Sequence, residues 1–492
     1  GLIEKRRQGF GKVNVIYVKT FMPEKTDEKK FEEELKKFKK VLVANRGEIA
    51  IRVFRALNEL GITTVGVFSK EDRYALFRSK ADESYQLNPD KGPIDAYLDI
   101  NTIIRIAKEK NVDAIHPGYG FLSENPNFVD ACEKNGITFI GPSAEIIDRM
   151  GNKSAARKTM MDAGVPVVPG TKDAVYEAEA GQKIADDMGY PVMIKASAGG
   201  GGKGMRVCYD SEDFVHTFET AKLEAENAFG DGTMYIEKYI EDPRHIEFQI
   251  LADKYGNTIH LGERDCSIQR RHQKLIEESP SPAISDEQRK KMGEIAVKAA
   301  KAAEYYSAGT IEFLRDKHGD FYFIEMNTRI QVEHPVTEWV TGIDLIREQI
   351  RIAAGKHLTY TQEDVHVHGH AIEVRINAED TEHDFRPSPG TVTNVHFPGG
   401  KGVRIDSALF AGYQIPPYYD SMIAKLIVYD KNRKLALRKL RNALGELVLE
   451  GVKTNIDYQY EIINDEDFIE GNVDTGFIER FQKKHQSENE AE

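Results

Sequence analysis

The chain has 492 residues, 40% of them apolar and 30% charged, which at about 100–200 residues per domain makes room for roughly three domains. Eighty acidic against 67 basic side chains leave a net charge of −13, a balance that argues against nucleic acid as the main partner because phosphate contacts need clustered Lys and Arg. No apolar run approaches the roughly 20 residues that cross a bilayer, no apolar signal core opens the chain, and Cys132, Cys208 and Cys266 are too widely spaced for a disulfide framework or a CxxC metal site, so the reducing cytoplasm is the expected compartment.

Residues 1–38 read as a charged arm, with Phe31, Leu35 and Phe38 at helical spacing in the Lys/Glu-dense run Glu24–Lys40; a short amphipathic helix with a solvated face is expected there. The unit 39–150 then alternates strand and helix. Val41–Ala44, Thr63–Phe68, Ala114–His116 and Thr138–Ile140 read as strands, and Glu48–Leu60, Leu98–Lys110 and Asn127–Asn135 as helices, the pattern of a doubly wound α/β domain. Ligands of such sheets gather at the carboxyl ends of the strands, where Asn45-Arg46-Gly47 and Pro117-Gly118-Tyr119-Gly120 lie; the single Gly47 is not a GxGxxG fingerprint. Asn152–Ala163 reads as a linking helix within 151–170. The span 171–240 is a smaller unit, with helices near Ala174–Met188 and Ser211–Ala228 and strands at Val192–Ala196, Arg206–Tyr209 and Met234–Lys238. The span 241–482 is the largest unit, strand-rich and then helical, and 483–492 reads as a polar, unpacked tail.

Four stretches carry chemistry. Lys195-Ala-Ser-Ala-Gly199-Gly200-Gly201-Gly202-Lys203 lies between two expected strands. Successive glycines leave free N–H groups that can wrap phosphate oxygens, Gly200 and Gly201 at their centre, and the flanking lysines add charge; no Gly-Lys-Ser/Thr ending makes it a P-loop. Gly309–Leu314 and Phe321–Asn327 flank the turn Asp316–Asp320, and as a hairpin they set Glu312 opposite or next to Glu325, with Glu325 and Asn327 on one face. Two facing carboxylates and an amide oxygen suit Mg²⁺, with Mn²⁺ as an alternative. In Thr328-Arg329-Ile330-Gln331-Val332-Glu333, alternation in an extended segment aims Arg329, Gln331 and Glu333 to one side, a fork for a small planar anion beside a carboxylate able to take its proton. Glu263–Lys274, placed after the apolar strand Ile246–Leu251 and its hairpin partner, masses Arg270, Arg271, His272 and Lys274 for polyphosphate, and Cys266 within it reads as a packed residue.

Together VLVANRGEIAIR, HPGYGFLSEN, KASAGGGGKGM, ERDCSIQRRHQK, EMNTRIQVEHPVTE and PPYYDSMIAKL resemble the biotin carboxylase component of biotin-dependent carboxylases, from about Lys39 to Gln482. The resemblance implies the doubly wound domain followed by an ATP-grasp of mobile lid and large mixed domain, α/β and α+β in class. It implies that ATP activates bicarbonate as carboxyphosphate and that the carboxyl group passes to N1′ of biotin. By matching motif, Lys153, Lys195, Glu237, Lys238, Ile240, His245, Gln269 and His272 would hold ATP, and Glu312, Glu325 and Asn327 the metal. Lys274, Arg329, Gln331 and the Val332 backbone would hold bicarbonate, Glu333 would be the base, and Arg375 would stabilise the biotin enolate; Arg52, Arg55 and Arg404 fall where relatives form a homodimer. No Met-Lys-Met-like tripeptide occurs, so biotin is expected on a separate carrier protein, with a separate carboxyltransferase completing the reaction. The amino-terminal third is more like pyruvate carboxylases and the region after Arg375 more like acetyl-CoA carboxylase subunits. An acetyl-CoA carboxylase is the first expectation for the parent enzyme, with pyruvate or propionyl-CoA carboxylase, or another ATP-grasp ligase, as alternatives.

Overall fold

The structure, a computed structural model, describes residues 38–200 and 203–491. Its first sheet is parallel, in the order β3-β2-β1-β4-β5, from β1 (Lys40–Val43), β2 (Thr63–Phe68), β3 (Glu83–Gln86), β4 (Ala114–His116) and β5 (Thr138–Phe139). Val41, Leu42 and Val43 are all buried, as expected of a central parallel strand covered on both faces. The helix α1 (Gly47–Glu59) turns Ile49, Val53 and Leu57 inward.

The helix expected over Leu98–Lys110 is α3 (Ile100–Glu109), and a short helix not foreseen, α2 (Pro93–Tyr97), precedes it. Asp99 separates the two: its carboxylate accepts from the Thr102 amide and caps the start of α3. Lys40 already belongs to β1, so the amphipathic helix does not reach it, and the remainder of that expectation, with residues 1–37, lies outside the described residues.

After α4 (Pro126–Lys134), α5 (Ala144–Gly151) and α6 (Lys153–Asp162) comes a three-stranded sheet of β6 (Val192–Gly200), β7 (Lys203–Cys208) and β8 (Met234–Lys238). It has its own core with Phe214, Phe218 and Ala221 of α8 (Phe214–Phe229), which follows α7 (Ala178–Met188). Gly200 pairs with Lys203 across the hairpin; Gly201 and Gly202 lie outside the described residues.

The largest sheet has eight antiparallel strands, in the order β13-β12-β9-β10-β11-β14-β16-β15. They are β9 (Arg244–Ala252), β10 (Thr258–Arg270), β11 (Gln273–Ser279), β12 (Ser307–Arg315), β13 (Phe321–Asn327), β14 (His370–Asn377), β15 (Val403–Ser407) and β16 (Met422–Asp430). Its apolar faces are covered by α9 (Asp286–Ala302), through Ala296, Ala299 and Ala300, and by Leu437, Leu440 and Leu444 of the helix Arg433–Glu446. The charged run Glu263–Lys274 does not follow the hairpin partner of β9 but is part of it, filling the end of β10 and, across a tight turn, the start of β11. The tail departs from expectation as well: a helix runs over Phe477–Ala491, because Phe477, Ile478 and Phe481 anchor its first turns in the core and His485 packs edge-on against Phe481. Among the described residues, no helix is long and apolar enough to cross a membrane.

Candidate active site

The period of two along the large sheet builds the site. On β9, Ile246, Phe248 and Ile250 enter the core, so His245, Glu247 and Gln249 share the opposite face. The same rule turns Thr310 and Glu312 of β12, and Glu373 and Arg375 of β14, away from Ile311, Phe313, Ile372 and Val374. A large sheet thus presents a polar face made of buried charged residues, and these must find partners among themselves.

Two cations organise them. The Arg264 guanidinium, fully buried, donates to Glu247 and Gln249 at 2.7 Å, Thr337 at 2.9 Å, Thr310 at 3.2 Å and Gln331 Oε1 at 2.7 Å. Lys274 Nζ reaches Glu333 at 2.6 Å, Glu247 at 3.0 Å and Glu312 at 3.4 Å. Burial would raise Glu247 and Glu312, yet Lys274 keeps both well below the usual carboxylate range. Burial would lower His245, but Glu312 and Glu247 raise it to about 9. Glu333 lies between cations, its second oxygen 3.0 Å from Arg375, whose Nε is held by Glu277 at 2.5 Å. Burial pushes the Cys266 thiol up strongly, as befits a packed residue 3.9 Å from Glu333.

Glu312 and Glu325 are direct cross-strand partners on β12 and β13. Asn327 donates to Glu312 at 2.8 Å, and Arg329 to the Asn327 oxygen at 3.4 Å. Burial and the facing Glu312 push the Glu325 carboxyl up to about 7. A pair this strained by like charge, with an amide oxygen beside it, fits a divalent cation that takes hard oxygen donors.

A cleft of about 1310 Å³ opens over this face, lined by Lys153, Ile240, His245, Gln269, His272, Lys274, Glu312, Glu325, Asn327, Arg329 and Gln331. Glu333, Val332 and Arg375 stand behind Lys274; the Val332 carbonyl accepts from the fully buried Lys425 at 2.7 Å. Lys195, Glu237, Lys238 and Gly200 belong to the three-stranded sheet and do not line the cleft, and Lys195 is paired with Glu237 at 2.7 Å. Asn45 bonds the Pro117 and Tyr119 carbonyls at 2.9 and 2.7 Å, and Arg46 is held by Asp72 at 2.7 Å, so these residues at the carboxyl ends of the parallel strands tie loops together. Arg271 pairs with Asp384 at 3.0 Å, and Arg270 lies 3.7 Å over the Phe385 ring.

The expected extended run Arg329–Glu333 is not a strand. It leaves β13 as coil and tightens into a turn that starts the helix His334–Thr341, with Glu333 as its N-cap residue, so alternation does not govern it. Arg329 faces Glu124 at 3.3 Å, Gln331 reaches Glu312 at 3.2 Å, and Glu333 meets Lys274. Gln331 and Glu333 are joined through Glu312 and Lys274, and Arg329 through Asn327, not by sharing a face. Arg264, Glu247 and Lys425 escaped the sequence reading. The signal was there: Glu247 and Gln249 occupy every second place of a strand read only as apolar, and Lys425 is one polar residue inside MIAKLIVYD.

An antiparallel sheet whose polar face holds a carboxylate pair beside buried cations, next to a separate glycine-rich sheet, is the arrangement the resemblance to an ATP-grasp ligase calls for. Three family models match: "Biotin carboxylase, N-terminal domain" over residues 37–147, "Carbamoyl-phosphate synthase L chain, ATP binding domain" over 152–361 and "Biotin carboxylase C-terminal domain" over 373–480. A biotin carboxylase of Nostoc sp. is 56% identical over 447 residues, covering 91% of this chain and 100% of that protein. One of the pyruvate carboxylase subunits of Methanothermobacter thermautotrophicus is 53% identical, over 91% of this chain and 90% of the relative. The biotin carboxylase domain dimer of Hydrogenobacter thermophilus 2-oxoglutarate carboxylase, solved with MgADP, ADP and bicarbonate, matches with a TM-score of 0.81 at 52% identity, over 90% of this chain and 97% of that one. The chain belongs to the biotin carboxylase family, and its reaction is the ATP-dependent carboxylation of biotin.

Proposed function

We propose that this reaction runs at the Lys274 cleft with Glu333 as the base, and serves as the first half-reaction of an acetyl-CoA carboxylase. The observation that carries the reading is Glu333, buried and bracketed by Lys274 at 2.6 Å and Arg375 at 3.0 Å. Bicarbonate enters beside Lys274, held by Arg329, Gln331 and the Val332 backbone. Glu333 takes its proton as the bicarbonate oxygen attacks the γ-phosphorus, releasing ADP and forming carboxyphosphate. The carboxyl group then passes to N1′ of biotin as the C–O bond to phosphate breaks and the released phosphate takes the N1′ proton, while Arg375 opposes the negative charge on the ureido oxygen. Glu312, Glu325 and Asn327 would hold Mg²⁺ or Mn²⁺, which supplies positive charge to the ATP phosphates.

Lys153, Ile240, His245, Gln269 and His272 hold the nucleotide in the cleft, and the sheet bearing Lys195, Gly200, Glu237 and Lys238 closes over it as the lid. That sheet's separate core supports a lid over 171–240 between the amino-terminal domain 39–150 with its linker 151–170 and the large domain 241–482. Biotin arrives on a carrier protein near Arg375, a carboxyltransferase completes the reaction, and the chain works as a homodimer in the cytoplasm. A pyruvate carboxylase parent is the second reading, favoured by the 53% identity to a component of that enzyme.

ADP release from MgATP, with and without bicarbonate, tests the site. Glu333→Gln keeps the shape and removes the base, so bicarbonate-dependent turnover should fall about 10²–10⁴-fold. Turnover at the parental rate would overturn the assignment.

A further inference from the structure

Behind the cleft, Glu277 of β11 lies directly opposite Glu373 of β14, and both side chains are fully buried. Ionised carboxylates only accept hydrogen bonds, so two of them facing each other on one sheet face repel; one proton between them makes the contact an O–H···O⁻ bond.

Of the nearby cations one serves Glu277, and none donates to Glu373. Arg375, two residues along β14 from Glu373, gives Nε to Glu277 at 2.5 Å and another nitrogen to Glu333 at 3.0 Å. Lys425, opposite Arg375 on β16, directs its ammonium to the Val332 carbonyl at 2.7 Å, Glu48 at 3.3 Å and Asp406 at 3.9 Å. Among the described residues, neither oxygen of Glu373 nor the second oxygen of Glu277 meets a donor. Burial, and then the facing Glu277, raise the Glu373 carboxyl well above its ordinary range, whereas Arg375 opposes the rise at Glu277.

We propose that Glu373 is a neutral acid that donates its O–H to Glu277, and that this shared proton makes Glu373 a positioning residue for Arg375. With Glu373 neutral, the ionised carboxylates on Arg375 are Glu277 and Glu333 alone. The O–H fixes Glu277 against Nε, so the other end of the guanidinium stays aimed at Glu333 and at the biotin oxygen, with its positive charge not cancelled by a third carboxylate. Were Glu373 ionised, three carboxylates would surround one guanidinium where negative charge must develop.

The role toward biotin rests on the assignment of Arg375 above; the shared proton does not, and the experiment keeps them apart. An infrared difference spectrum of wild type minus Glu373→Gln at neutral pH should contain the carbonyl band of a neutral carboxylic acid, shifted in D₂O. Its absence would overturn the proposal whatever the enzyme's activity. In biotin carboxylation, Glu373→Leu removes the donor and should slow the reaction about 10- to 100-fold, the rate equivalent of one hydrogen bond to a charged group. Glu373→Gln, whose amide N–H can donate to Glu277, should recover most of that loss. Impairment of the Gln variant equal to that of Leu would contradict a donor role.

Discussion

Arg264 has no exposed atom, five hydrogen bonds and one ion pair, to Glu247. Such a residue is built into its site from all sides, and cutting it out should leave Glu247 and the amide of Gln331 without their main partner. Removing one member of a buried pair costs about 3–5 kcal/mol, so Arg264→Met should lower the stability measured by urea unfolding by roughly that amount, as well as displacing Gln331. A loss under about 1 kcal/mol would mean that Lys274 and His245 suffice for Glu247. Glu312, Glu325 and Glu333 were legible as residues because motif and spacing isolate them. Arg264 was not, because inside ERDCSIQRRHQK it is one charge among many, and only the register of β10 against β9 separates it from Arg271 on the surface.

Among the elements, the β12–β13 hairpin came through whole. Asp316 and Asp320 close its turn, and an irregularity between Glu312 and Phe313 shifts the register by one residue so that Glu312 opposes Glu325. Replacing Glu325 by Gln should raise the Mg²⁺ concentration needed for half-maximal ATP turnover by about tenfold or more; an unchanged Mg²⁺ titration would remove Glu325 from the metal site. The segment after the hairpin was misread because a strand period was carried past Asn327 into a helix start.

A second element depends on pH. Glu278 on β11 joins Arg433 at 2.8 Å and His370 at 2.6 Å, anchoring the helix Arg433–Glu446 to the sheet. Burial would raise this carboxyl, but Arg433 and His370 lower it from 4.5 to about 2. A depressed folded-state value contributes stability that is complete above the unfolded value and lost as pH falls through the folded one, here from about 4.5 down to about 2. That lowering corresponds to roughly 3 kcal/mol at neutral pH. Arg433→Met should therefore cost stability at pH 7 and progressively less toward pH 2, which denaturant unfolding across that range would read; a penalty independent of pH would assign the helix's anchoring to packing alone.

For the whole molecule, the sequence reading recovered the parallel amino-terminal sheet, the three-stranded sheet and the hairpins, because alternating strand and helix patterns and long specific motifs survive without tertiary information. What it missed needs the third dimension: the Phe477–Phe481 anchor that carries a helix through a polar tail, and the buried polar face assembled from strands far apart in the chain. The proposed function makes bicarbonate activation and biotin carboxylation the work of that one face. The most direct test supplies the purified chain with MgATP, free biotin and ¹³C-bicarbonate and follows the label by NMR. Label on N1′ of biotin, formed with ADP and abolished by Glu333→Gln, is the predicted result. ADP release that proceeds without bicarbonate, or label that never reaches biotin, would contradict it.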